Sequence, residues 1–274
     1  MSYGKDDLVG EWSKEKLQYL ESYLSAFTKA TIKARNKYYI DGFAGKGNWT
    51  VRGSLESLKG SARLALESNP SFSKCFFIEK DIDRALALKK IAEEYPVRKS
   101  EVLCGDCNEK IKDVLNQIHP NAPTFVFLDP SGAHLKWNTI ELLAKWKTEL
   151  FINFPLFMDL QRNLPNNPSK LQQWQIEKLN NVFGGTHWSD IYERKFKVEG
   201  PRFSSFSLME IYISGLQEIG YPFVMKSDVI KNSNGANLYF LIWVGKKHVG
   251  EKIMKHVLMK QFKKQMTIDD LANI

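Results

Sequence analysis

Five short apolar runs, each separated from the next by an amphipathic helical pattern, restrict this chain to a small set of folds. The runs are Tyr38-Tyr39-Ile40, Cys75-Phe76-Phe77-Ile78, Glu101-Val102-Leu103-Cys104, Phe125-Val126-Phe127-Leu128 and Leu150-Phe151-Ile152. Helical spacing predicts helices over Ser61 to Glu67, Ile82 to Tyr95, Asn108 to Ile118 and Thr139 to Trp146. Strands apolar on both faces, alternating with helices, predict a parallel sheet covered on both sides and wound by right-handed crossovers. The first four runs each end in a turn that carries an acid: Asp41-Gly42, Glu79-Lys80, Gly105-Asp106 and Asp129-Pro130. Ligand crevices of such sheets lie at the carboxyl ends of the strands. The candidate site therefore lies between Asp41 and Gly132.

Other elements flank this core. Leu17, Leu20, Leu24 and Phe27 predict a helix from Ser13 to Thr31, with Ser13 as its N-cap. Near the other end, a helix from Ser205 to Ile219 precedes two β-like runs, Phe223 to Lys231 and Ala236 to Val244. Asn232-Ser233-Asn234-Gly235 joins them, a hairpin signal. The stretch 155–204 is not needed by the sheet, and we read it as a helical insertion that recognises substrate or partner. The 274 residues then form a single domain, 1–274.

Composition narrows the class. With 43% hydrophobic and 26% charged residues the chain is an ordinary globular sequence. Its net charge of +8 suits a polyanionic partner. Three cysteines, Cys75, Cys104 and Cys107, do not make a disulfide scaffold. Lys5, Asp6, Asp7 and Glu11 stand where a signal peptide needs an apolar core, and no apolar run is long enough to span a bilayer. A cytoplasmic protein without membrane partners is the expectation.

The turn residues carry the chemistry. Asp41-Gly42-Phe43-Ala44-Gly45-Lys46-Gly47 differs from the dinucleotide fingerprint G-x-G-x-x-G, which counts against a nicotinamide-dependent dehydrogenase. An acid leading three glycines suits a cofactor with an ammonium-bearing amino acid end, which Asp41 can pair, while Gly45 and Gly47 supply positive φ and let the backbone approach the ligand. Glu79 can accept the hydroxyls of a ribose. Asp106 can accept from an adenine amino group, or simply N-cap the next helix. Phe43, Ala44, Lys80 and Cys107 complete the candidate lining. Cys104 and Cys107 have C-x-x-C spacing, but zinc needs two further ligands and the sequence offers no second pair, so no metal is expected. Asp129 and the Pro130 carbonyl can orient a target amino group, and such positioning is most of what the transfer of a small group requires.

Asp-Gly-Phe-Ala-Gly at 41–45, Gly60-Ser61, Phe77-Ile78-Glu79 and Phe127-Leu128-Asp129-Pro130-Ser131-Gly132, with Lys16-Leu17 and Tyr23-Leu24, resemble the three-Cys-motif partner (TcmP) family. The resemblance runs from Ser13 to Phe154. It implies a Rossmann-like class I methyltransferase fold, α/β, with a mostly parallel seven-stranded sheet closed by an antiparallel hairpin. It also implies S-adenosylmethionine as cofactor and a partner protein carrying a three-cysteine motif. The loop 41–47 is more distantly similar to the first motif of adenine-N6 methyltransferases. Those enzymes continue with a Pro-Pro-aromatic sequence at the fourth strand, whereas this chain has Ser131 and Gly132. Phe43, Phe154 or Trp137 would then have to supply the surface on which a flipped base stacks.

The expected function is S-adenosylmethionine-dependent methyl transfer to nucleic acid, DNA or RNA, or to another nucleobase-containing substrate. Asp41 with Gly42, Gly45 and Gly47 is expected to hold the methionine end, with Lys16 on its carboxylate, and Phe43 and Ala44 belong to the same cofactor site. Glu79 takes the ribose and Asp106 the adenine, Lys80 and Cys107 line the cofactor site, and Asp129, which also borders the cofactor, positions the acceptor with Pro130. The alternative is a non-catalytic or partner-dependent module that binds the cofactor and docks a protein or nucleic acid. Basic and aromatic residues in the insertion (Arg162, Lys170, Trp174, His187, Trp188, Arg194, Lys195, Lys197, Arg202 and Phe203) suit a nucleic-acid groove. So does a basic helix from Glu251 to Lys264.

Overall fold

A computed structural model describes residues 8–10, 12–51, 57–165, 167–199 and 201–259. A short strand β1 (Leu8–Val9) and helix α1 (Trp12–Ala30) lead into β2 (Tyr38–Asp41), then β3 (Asn48–Val51) and β4 (Ser57–Lys59). Helix and strand then alternate: α2 (Ser61–Leu66), β5 (Lys74–Glu79), α3 (Ile82–Glu93), β6 (Ser100–Cys104), α4 (Cys107–Leu115), β7 (Thr124–Leu128), α5 (Trp137–Ala144) and β8 (Thr148–Phe154). Three helices follow, α6 (Gln173–Phe183), α7 (His187–Glu199) and α8 (Pro201–Glu218). The strands β9 (Phe223–Lys226), β10 (Ile230–Lys231) and β11 (Asn237–Gly245) come next, and then a helix α9 over 248–259.

The main sheet has the order β10-β11-β8-β7-β2-β5-β6, with β9 also paired to β11. All five predicted apolar runs pair in parallel, and β11 runs antiparallel to β8 between them and the edge. Strands β9 and β10 both run antiparallel to β11, against successive stretches of it. They are two halves of one predicted strand, Phe223 to Lys231. The run breaks at Ser227, whose Oγ accepts from the Leu241 N–H at 3.1 Å. With that edge strand counted once, the sheet has seven strands.

Side chains alternate across the sheet at the two-residue period of a strand. Ile40, Phe76, Ile78, Val126, Leu128, Leu150 and Ile152 share one core with α4, α5 and the helices α6 to α8. Tyr39, Phe77, Phe125, Phe127, Phe151 and Trp243 share the other with α1, α2, α3 and α9. Tyr23 and Phe27 of α1 lie 5.2 and 5.7 Å from the Phe125 ring, which fixes α1 across the sheet. Both faces are therefore buried, as the near-continuous apolar runs require.

Several expectations need correction. Helix α1 starts at Trp12, so Ser13 is its second residue rather than its cap, and the Ser13 N–H donates to the Gly10 carbonyl at 3.0 Å. A second small sheet, in which β3 pairs with both β1 and β4, was not legible in the sequence. Within 155–204, one π-helical turn (Leu156–Leu160) precedes α6 and α7, and α8 begins at Pro201 rather than Ser205. Helix α6 ends where Gly184 adopts φ +74°, the left-handed cap that glycine favours. The side chains of Lys195, Arg202 and Phe203, and the expected helix beyond residue 259, lie outside the described residues. No described helix is long and apolar enough to cross a membrane.

Candidate cofactor site

The carboxyl ends of β2, β5, β6 and β7 open into a cavity of about 750 Å³. Of the predicted residues it gathers Lys16, Gly42, Phe43, Ala44, Gly45, Glu79, Lys80, Asp106, Cys107, Asp129 and Pro130. Asp41 and Gly47 are not among its lining residues. The start of α1 closes one side with Trp12, Ser13 and Leu17, which the sequence reading did not place there.

Glu79 is the best-organised acid. It closes β5 and is 9% exposed. One oxygen accepts from the Gly45 N–H at 2.8 Å and the other from the Asp81 N–H at 2.9 Å. Each oxygen keeps a second lone pair, so the carboxylate is aimed by the backbone and still able to accept two hydroxyls.

Asp106 takes the capping role and still lines the cavity. It N-caps α4, accepting from the Asn108 N–H at 2.9 Å, and its other oxygen lies 3.4 Å from Lys80 Nζ. Partial burial works to raise its carboxyl, but the hydrogen bonds from Asn108 and the Lys80 ammonium outweigh it and hold the group below the usual range. Cys107 backs the turn, and burial pushes its thiol up, out of the thiolate range.

The loop 41–47 is built differently from the expectation. Asp41 is fully buried and points into the protein. Tyr39 Oη donates to it at 3.1 Å and the Phe43 N–H at 3.3 Å. Burial pushes this carboxyl up to about 7, against hydrogen bonds from Ser61, Phe43 and Tyr39 that favour the anion. It cannot pair a ligand ammonium from that position. Gly45 and Gly47 do take positive φ, +65° and +85°. However, a Cβ on Gly45 would lie 2.5 Å from the Trp49 ring, and one on Gly47 2.6 Å from Ile91 Cδ1. The protein's own side chains fill the room these glycines leave.

Asp129 does face the cavity, beside the end of β7. Its Oδ2 forms an ion pair with Lys16, and its Oδ1 accepts from Asn153 Nδ2 at 2.7 Å. Lys16, expected on a cofactor carboxylate, thus has an internal partner. Because a carboxylate only accepts, the Asn153 amide must present its nitrogen to Asp129. That leaves Asn153 Oδ1 buried without a hydrogen-bond partner among the described residues, which is costly.

The rest of this loop is pinned from both sides. Asn108 on α4 donates to the His134 carbonyl at 3.0 Å and accepts from the Lys136 N–H at 2.9 Å. Asp159, in the π-helical turn, accepts from the Ala133 N–H at 2.6 Å and is paired with Lys178 at 2.5 Å. A Cβ on Gly132 would sit 2.6 Å from Asp159 Oδ2. Gly132 therefore stands where an aromatic was looked for because Asp159 occupies that space. Two of the stacking candidates are also excluded: Phe154 is buried against Tyr212, ring centroids 4.4 Å apart, and Trp137 is 7% exposed. Phe43 remains on the cavity wall, joined by Trp49. Among the described residues no cluster of His, Cys, Asp or Glu is arranged to hold a metal ion.

No protein-family model matches the sequence, and no curated protein matches it. Solved structures do align with the chain. Protein LPL1258 from Legionella pneumophila str. Philadelphia 1 covers 90% of both chains with a TM-score of 0.55 at 12% identity. Spermidine synthase from Thermotoga maritima aligns with 89% of this chain and 62% of its own, TM-score 0.45, at 10% identity. An O-methyltransferase from Bacillus cereus in complex with SAH aligns over 82% of this chain and 80% of its own, TM-score 0.43, at 14% identity. The strand order, with one antiparallel strand set between the parallel strands and a broken edge strand, makes this a Rossmann-like fold of the class I methyltransferase type.

Proposed function

We propose that the chain is an S-adenosylmethionine-dependent methyltransferase whose acceptor is an amino group on nucleic acid or another nucleobase-containing substrate. The observation that carries this reading is the placement of Glu79, Asp106 and Asp129 around one cavity, each at the carboxyl end of a successive part of the sheet. The cavity volume falls within the usual range for small-molecule sites, roughly 300–1,000 Å³.

The donor set fits the cofactor. Glu79, held by Gly45 and Asp81, can accept both ribose hydroxyls. Asp106 and the wall formed by half-buried Asn108 with exposed Lys80 and His134 suit an adenine ring. Asp41, turned inward, braces the loop instead of binding the amino acid end. The cofactor, when bound, supplies a methyl group on a sulfonium.

The acceptor chemistry follows from Asp129 and Asn153. A primary amine donates through its N–H groups, and this corner of the site holds a carboxylate aimed by the Asn153 amide on the cavity wall. Lys16 and Asn153 hold the Asp129 carboxylate in place, so the residue acts as a hydrogen-bond acceptor that orients the amine.

The test is transfer of labelled methyl from S-adenosylmethionine to separate DNA, RNA and protein fractions by the purified chain. The expected result is label in a nucleic-acid fraction, on nitrogen. Label confined to protein, or none in any fraction with the cofactor bound, overturns the acceptor assignment.

A further inference from the structure

In the insertion, where basic residues and aromatics interleave in sequence, Trp174 is exposed but the other described tryptophan turns inward. Trp188 is fully buried, its Nε1 donating to Asn180 at 2.8 Å. An aromatic with cations around it appears instead at Trp49, on β3. Its ring borders the cofactor cavity and also a separate open groove of about 540 Å³, shared with Lys46, Asn48, Asp83, Leu86 and Lys90. Lys46 Nζ and the Arg84 guanidinium each lie 5.9 Å from the ring centroid. On α3, Leu86 and Ile82, one turn apart, are 51% and 65% exposed.

We propose that Trp49 and this groove bind an unpaired nucleotide flanking the reacting group, with the indole as stacking platform and Lys46, Arg84 and Lys90 as phosphate partners. A base has an apolar face and a charged backbone. The groove offers the matching pair, an aromatic and aliphatic wall with cations at its rim, and Asp83 as the one acid among the described residues of its lining. Stacking on an aromatic tolerates any base, and nearby cations add both cation–π and phosphate attraction. A duplex would present its phosphates but leave the apolar wall unused. Because Trp49 borders both cavities, a nucleotide on it lies next to the cofactor site. The inference rests on the methyl-transfer reading only for the identity of the neighbouring ligand.

The experiment is fluorescence anisotropy of the whole chain with a labelled short single-stranded oligonucleotide of mixed sequence, and with its duplex. The same proteins are titrated with S-adenosylhomocysteine. Single strand should bind more tightly than duplex. Trp49→Ala should weaken it about tenfold, within the range of one lost base stack, while Trp49→Phe restores most of the affinity. Lys90→Ala touches the groove and not the cofactor cavity. It should lower the salt slope of binding by about one and leave the affinity for S-adenosylhomocysteine unchanged. Equal binding by wild type and Trp49→Ala, or preference for duplex, overturns the proposal. Oligonucleotide binding without any cofactor binding would sink the methyl-transfer reading and leave this one standing. The reverse pattern would sink this one alone.

Discussion

The loops after β2 and β7 look alike in sequence, an acid followed by small or turn residues at the end of an apolar strand, yet the protein uses them in opposite ways. After β2 the acid turns inward: Asp41 is buried, and its partners are Tyr39, Ser61 and the next turn of backbone. After β7 the acid turns outward into the cavity, where Asp129 meets Lys16 from α1 and Asn153 from β8. The first loop is held by backbone bonds to β5 and β7, the Glu79 carboxylate and two packed glycines, the second by the side chains of Asn108 and Asp159. An acid at a strand end thus marks the crevice, while long-range packing decides whether it braces the loop or faces the ligand.

Substitutions can break this contrast. The largest effect is expected from Asp129→Ala, which should cut methyl transfer about a thousandfold or more while S-adenosylhomocysteine affinity stays within about tenfold. Retained turnover in that variant would show that the outward acid does not position the acceptor.

Asp41→Asn should instead appear in stability. An acid raised from 3.8 unfolded to about 7 folded is protonated more readily in the folded state, so its contribution is fullest below about pH 4 and is lost as pH rises through about 7. Glu149, pushed up to about 7 chiefly by burial, acts in the same direction. Denaturant midpoints between pH 4 and 8 should fall with pH in wild type. Asp41→Asn and Glu149→Gln should each flatten part of that fall, by at most about 4 kcal/mol for a fully buried acid. Wild-type midpoints that rise across this window would contradict both inward assignments.

A smaller effect is expected at Gly132. Gly132→Ala presses a methyl on Asp159 and should cost about 1 kcal/mol of stability. It should also lower turnover about tenfold by shifting the loop that carries Asp129. Unchanged turnover, with the loop still protected from proteolysis, would mean that the Asp159 pin does not set the acceptor geometry.

Much of this was readable from the chain. The five parallel strands follow from runs apolar on both faces, and their acid-bearing turns located the cavity. Period and turn chemistry are local, so they say nothing of contacts between distant residues. Lys16 meets Asp129 across 113 positions, and the Asp159 bond to Ala133, next to Gly132, spans 26. The small sheet of β1, β3 and β4 escaped because strands of two to four residues carry no usable period. With it escaped Trp49. Trp188 was misread for the converse reason: aromatics near basic residues in sequence can still turn into the core, as α7 turns this one.

The central claim is that these strand ends form one cofactor site organised by Glu79. It is tested most directly by calorimetric titration of S-adenosylhomocysteine into wild type and Glu79→Ala, with folding checked by circular dichroism. The account predicts one site in the wild type and affinity about tenfold to a hundredfold weaker in the variant, the loss of one or two charge-assisted hydrogen bonds. Equal affinity in the two folded proteins, or no binding to the wild type, would contradict it.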